Sequence, residues 1–184
     1  MTMIIGIDPS LTGTGLALLD TDDHLVIPTE TLTSTGKVTA STDERLERIL
    51  TIVETVIYKA VEHKSDLAVI EAPAFSRNNA GTWDRAGLWW LLVSRLAEAR
   101  IETTTIPPTT RAKYATGRGN AGKDEVLLAV AKRYPHVDVR DNNQADALVL
   151  AAIGAHLAGH PIDDLPKTHL DALAKVARPA GVAA

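Results

Sequence analysis

The chain has 184 residues, 45% of them apolar and 23% charged, with a net charge of −4 and no cysteine. These figures describe one globular domain with a sizeable core, and they exclude a disordered chain, a disulfide framework and any thiolate metal site. No apolar run reaches membrane-spanning length, and Met1 leads straight into a strand-like segment without the parts of a secretory signal, so the expectation is a soluble, cytoplasmic protein.

Residues 3–8 read as a buried strand and 14–20 as a second, joined by the turn Pro9-Ser10-Leu11-Thr12-Gly13. His24 to Leu32 reads as a third, on which Pro28 demands an edge or a bulge because proline cannot donate to a ladder. Ser41-Thr42-Asp43-Glu44 is a capping box that opens a helix running to about His63. Leu46, Ile49, Leu50, Val53, Val56, Ile57, Ala60 and Val61 recur along it at helical spacing. A strand follows at 67–71, then a polar loop from Ser76 to Gly81, a helix from about Thr82 to Ala99, and a strand at 101–106 stopped by Pro107-Pro108. The polar stretch 109–122, with three glycines, reads as a flexible loop. Helices at 123–134 and about 142–158 complete a domain spanning residues 1–159, and 160–184 read as a tail, partly helical (166–177) or disordered. The order β-β-β-α-β-α-β-α-α predicts an α/β fold: a mixed sheet, antiparallel at first and parallel later, with helices on both faces.

Three acids interrupt this apolar pattern. Asp8 closes Met3-Ile4-Ile5-Gly6-Ile7, Glu71 closes Leu67-Ala68-Val69-Ile70, and Asp146 lies within Ala145-Asp146-Ala147-Leu148-Val149-Leu150. Each alone has a structural explanation: Asp8 as a turn residue, Glu71 as a strand-end charge, Asp146 as a carboxylate at the positive end of a helix. Together, on three elements, they point to one shared cation site, because buried charges must be paired or bind a cation. Oxygen donors suit hard divalent ions, and two such ions can activate water and stabilise the leaving oxygen of a phosphodiester. From Thr103 to Lys123 the chain carries Arg111, Lys113, Arg118 and Lys123 and no acid, a patch able to hold phosphates on an otherwise acidic molecule.

Four segments, Gly6-Ile7-Asp8-Pro9-Ser10 with Gly13-Thr14-Gly15, Val69-Ile70-Glu71, Gly117-Arg118-Gly119-Asn120-Ala121-Gly122-Lys123 and Ala145-Asp146-Ala147-Leu148, resemble the RuvC-type Holliday-junction resolvases in order and spacing, over about residues 3–158. The opening and closing motifs are specific in combination and weak apart. The resemblance implies an RNase H-like fold with a mixed five-stranded sheet, and a homodimer that cuts four-way DNA junctions with paired symmetric nicks, leaving 5′-phosphate and 3′-hydroxyl ends. It also implies two Mg²⁺ or Mn²⁺ ions held by four acidic positions, among them Asp8, Glu71 and Asp146. The fourth position, three residues before the last acid, is Asn143, an uncharged oxygen donor; Asp141 is the charged alternative. Lys123 matches the family's second functional lysine and completes the catalytic set with Asp8, Glu71 and Asp146. The first would fall on Ala112, so that Arg111 or Lys113 supplies the phosphate contact instead. The short form inclines the reading toward a phage-type member.

Phe75, the only phenylalanine, is a candidate for base stacking at the junction centre, one residue out of the family's spacing, or a loop residue folded onto the core. Arg77, with Asn78 and Asn79, is placed to meet the DNA backbone. Trp89-Trp90-Leu91-Leu92-Val93 is apolar on two faces of its helix, one for the core and one for a partner subunit, unless the helix is wholly buried. The six histidines show no metal-ligand spacing, and the tail carries no docking motif for a helicase. Three rivals to the junction endonuclease are an RNase H-like nuclease for flaps or structured RNA, a non-catalytic junction binder, and a sugar kinase or actin-like ATPase. The last needs a chain about twice this length.

Overall fold

The computed structural model describes residues 2–23, 25–37, 39–73 and 81–179. Its centre is a five-stranded mixed sheet in the order β3-β2-β1-β4-β5. The strands are β1 (Met3–Asp8), β2 (Gly13–Asp20), β3 (Leu25–Thr33), β4 (Leu67–Glu71) and β5 (Glu102–Ile106). β1, β2 and β3 form an antiparallel meander, while β4 adds parallel to β1 and β5 parallel to β4. This is the mixed sheet expected, and the strands fall within a residue or so of their predicted bounds. Pro28 lies on edge strand β3, at a register shift opposite Leu16–Leu18, so both tolerated settings for a strand proline coincide.

Strand alternation divides the core into two layers. Ile5, Ile7, Leu16, Leu18, Ala68 and Ile70 pack against α1 (Thr42–Glu62) and α2 (Thr82–Glu98). Ile4, Ala17, Leu19, Leu67 and Val69 face α5 (Asn142–Leu157), with α3 (Pro108–Thr116) and α4 (Lys123–Arg133) beyond it. The predicted capping box opens α1: the Ser41 hydroxyl accepts from the Glu44 amide, and the Glu44 carboxylate accepts from the Ser41 amide. Its buried face is Ile49, Ile52, Val53, Val56 and Ala60, whereas Leu46, Leu50 and Val61 are exposed.

Helix α5 is apolar nearly all round and is buried from Gln144 to Ala155, covered by the sheet on one side and by α3 and α4 on the other. Its approach to the sheet is closer than side chains allow. A Cβ on Gly6 would lie 2.1 Å from the Ala147 carbonyl oxygen, and one on Gly15 would lie 2.0 Å from that of Asn143. Two glycines in neighbouring strands therefore set how deeply α5, and with it Asp146, sits over the ends of β1 and β2.

The structure corrects two local expectations. Residues 108–116 form helix α3 rather than a flexible loop, with Pro107 before its first turn and Gly117 at φ +80° closing it. Arg111, Ala112, Tyr114 and Ala115 are its buried face. Tertiary contacts outweigh its polar composition: the Tyr114 hydroxyl donates to Asp163 Oδ1 at 3.2 Å, and Arg133 Nη2 donates to the Ala115 carbonyl at 2.6 Å. Beyond α5, helix among the described residues is confined to α6 (Lys167–Leu170) rather than 166–177, and Leu165 and Leu173 join the same core as α5.

Candidate metal and nucleic-acid site

The three acids meet because of strand parity and register. On β1, Ile4, Gly6 and Asp8 share the face toward α5; on β4, Leu67, Val69 and Glu71 share it. β1 and β4 run parallel with Ile7 beside Ile70, so Asp8 and Glu71 end adjacent strands on one sheet edge, where open α/β sheets bind ligands. Asp146, in the second turn of α5, comes down over that edge. Asp8 is 8% exposed and Asp146 1% exposed.

Burial raises the Asp8 pKa to about 7, and the nearby charges of Glu71 and Asp146 push it the same way. Burial likewise raises Asp146 to about 6, opposed by Arg111 and assisted by Glu71. These carboxylates feel one another strongly enough to resist ionising together.

Arg111 is the partner that sequence inspection did not assign. It is 6% exposed, the only buried basic residue among the described residues. Its Nε donates to Glu71 Oε2 and its Nη1 to Asp146 Oδ1, so one guanidinium bridges an acid from β4 and one from α5. Burial works against its charge, but Glu71, Asp146 and Asp8 outweigh burial and hold its pKa above the ordinary arginine range. The predicted phosphate-binding Arg111 therefore lies inside the acid cluster and not on a surface loop. Nothing local announces this, since Arg111 is 35 residues from Asp146 and 40 from Glu71.

The donors fit a hard divalent ion in kind. Asp8, Glu71 and Asp146 offer only oxygens, and Asp146 Oδ2 is buried without a hydrogen-bond partner. Among the described residues no three acids or histidines stand together closely enough to hold a metal ion as they are, and Arg111 ties up one oxygen each of Glu71 and Asp146.

The two candidates for a fourth ligand part company. Asp141 is the N-cap of α5: Oδ1 accepts from the Gln144 amide at 2.9 Å and Oδ2 from the Thr31 hydroxyl at 2.7 Å. Both its oxygens serve the helix start and β3. Asn143 is three residues before Asp146, on the same side of the helix, beside Gly13 and Gly15 of β2, and Gly15 pairs with Asp8.

Of the other candidate cations among the described residues, only Lys123 is seen to act on this cluster. Lys123 begins α4, is exposed, and its charge acts on both Asp8 and Asp146. Lys113 is half-buried on α3. Arg118 is exposed and pairs with Glu125 at 2.8 Å. Phe75, Arg77, Asn78 and Asn79 lie outside the described residues. Trp89 Nε1 donates to the Glu71 carbonyl at 2.9 Å, which anchors the end of β4 from the opposite layer.

Residues 4–154 match the family model described as crossover junction endodeoxyribonuclease RuvC. A protein of that name from Chlamydia trachomatis serovar L2 is 32% identical over 176 residues, covering 90% of this chain and 97% of the relative. Its counterpart from Parvibaculum lavamentivorans is 30% identical over 154 residues, covering 83% and 85%. Among solved structures, the RuvC of T. thermophilus in complex with a Holliday junction superposes with a TM-score of 0.70 at 20% identity, over 86% of this chain and 96% of that one. The yeast mitochondrial Holliday junction resolvase Ydc2 superposes at 0.51 with 15% identity, over 82% and 76%.

Proposed function

This chain belongs to the RuvC family of crossover junction endodeoxyribonucleases, and we propose that it resolves four-way DNA junctions by metal-dependent phosphodiester hydrolysis. The observation that carries this reading is the meeting of Asp8, Glu71 and Asp146 at one edge of the sheet, with a buried, unpartnered oxygen on Asp146. On this reading Asp8, Glu71 and Asp146 hold Mg²⁺ or Mn²⁺, two ions per site, and Asn143 is the fourth ligand, because Asp141 is committed to capping α5. Bound there, the ions supply an activated water and charge compensation at the leaving oxygen.

The chain's own residues do the rest. Lys123 faces Asp8 and Asp146 from the solvent side and contributes an ammonium to the phosphate under attack. Lys113 and Arg118 hold neighbouring phosphates, and Arg77 and Phe75 extend the contact to the backbone and bases at the junction centre. The helix α5, drawn onto the sheet over Gly6 and Gly15, fixes Asp146 against Asp8.

A second copy of the chain supplies the symmetric cut. Trp83 is 86% exposed and Trp90 65%, with Gly87 open between them on the same stripe of α2. An apolar stripe of this kind on a helix surface is a site for a partner, and a homodimer pairs it with itself. The product ends are 5′-phosphate and 3′-hydroxyl.

The test is cleavage of a synthetic four-way junction with Mg²⁺, against duplex, flap and RNA controls. Paired nicks at symmetric positions, confined to the junction, are expected. Preference for a flap or RNA would move the chain to a different substrate, and tight junction binding with no cut would make it a binder only.

A further inference from the structure

The bridge made by Arg111 has a consequence for how a cation enters. Glu71 and Asp146 come from elements packed face to face, and without a positive charge between them their mutual repulsion would open the site. Arg111 supplies that charge from α3 while desolvated alongside Asp8 and Asp146. The oxygens it engages, Glu71 Oε2 and Asp146 Oδ1, belong to the same carboxylates that an ion at this edge needs. Asp146 keeps Oδ2 free, but the guanidinium already draws on the charge of both carboxylates, so guanidinium and metal compete for them.

We propose that Arg111 is a resident counter-cation: it holds Glu71 and Asp146 together in the metal-free protein, and a divalent ion must take over its bonds to them. This inference rests on the reading of Asp8, Glu71 and Asp146 as a metal site. Arg111 is thereby a positioning residue that sets a threshold for metal occupancy. A guanidinium let go by the carboxylates stays beside the ion on α3, where a substrate phosphate is the natural acceptor for its five donors. Metal and DNA then each ease the binding of the other, since both favour the state in which Arg111 has left the acids.

The experiment is calorimetric titration of Mn²⁺ into the metal-free protein, comparing wild type, R111M and R111K, with D146N as control. The methionine keeps much of the arginine stem's bulk and removes the competitor. R111M is expected to bind Mn²⁺ roughly tenfold more tightly, to melt at a lower temperature without metal, and to recover that loss when Mn²⁺ is added. R111K, which keeps a charge, is expected to fall between. An unchanged or weaker Mn²⁺ affinity in folded R111M overturns the proposal. Should R111M fail to fold without metal, Arg side-chain ¹⁵N resonances of the wild type decide: the Nε–H signal that vanishes in R111K must shift as Mg²⁺ saturates the site. A stationary signal overturns the proposal. The control separates the two readings. If D146N binds Mn²⁺ as the wild type does, the metal-site reading itself fails and this inference with it. If D146N abolishes binding while R111M leaves affinity unchanged, only this inference fails.

Discussion

Asp8 and Asp146 are held with pKa values of about 7 and about 6, well above the ordinary aspartate value, chiefly because they are buried. Their protonated forms are thus favoured in the fold, while in the unfolded chain both ionise near pH 4. The metal-free protein is therefore expected to lose stability as pH rises from about 4 to about 7, because over that window the folded state binds more protons than the unfolded one. Thermal melts across this range check the direction, and added Mg²⁺ should remove the decline by binding the ionised form. By the same reasoning Asp8→Asn should raise the melting temperature of the metal-free protein, on the order of 5 °C, while lowering junction cleavage by at least about a hundredfold. A stabilising change that abolishes activity marks a residue retained for chemistry. Lys123→Ala tests the other side of the site: single-turnover cutting should fall by about tenfold, with little change in melting because Lys123 is exposed. At this scale the acids were legible because each charge ended or broke an apolar run. Arg111's partners were not, since its bonds to residues 35 and 40 positions away leave no trace in local spacing.

At the scale of elements, what could be read depended on how far each element's stability is local. The strands and α1 announce themselves through two-residue and helical periodicity and a capping box, and their predicted ends hold to within a residue or two. Helix α3 is different. Its nine residues include three threonines and expose the polar face, so composition favours a loop. Pro107 before it, Pro108 at its first position and Gly117 after it are nevertheless a helix start and stop, and the order of those signals was available. What holds it is distant in sequence: Tyr114 to Asp163, Arg133 to the Ala115 carbonyl, and His169 Nδ1 within 2.8 Å of the Tyr114 carbonyl. The contact between α5 and the sheet yields a sharper prediction. Gly6→Ala drives a methyl group into the Ala147 carbonyl, so it should cost about 1–3 kcal/mol in denaturant melts. By lifting Asp146 from Asp8 it should also weaken Mn²⁺ binding, which a mere loss of stability would not explain in protein shown to be folded.

Across the whole molecule, an acidic net charge is compatible with the proposed DNA site if a bound cation neutralises Asp8, Glu71 and Asp146. Lys123 stands by that edge, and the Trp83–Trp90 stripe lies on α2 in the opposite helical layer. The stripe gives the quaternary prediction: Trp90→Glu should convert a dimer to a monomer by light scattering and uncouple the paired nicks, and an unchanged mass would remove α2 from the interface. Beneath every one of these statements is the convergence of Asp8, Glu71 and Asp146 on one cation. Anomalous diffraction from crystals soaked in Mn²⁺ measures that directly. Manganese is expected in contact with the carboxylates of all three residues, with Arg111 turned away from Glu71 or Asp146. Manganese bound elsewhere, with the three carboxylates left as they are, would contradict that convergence.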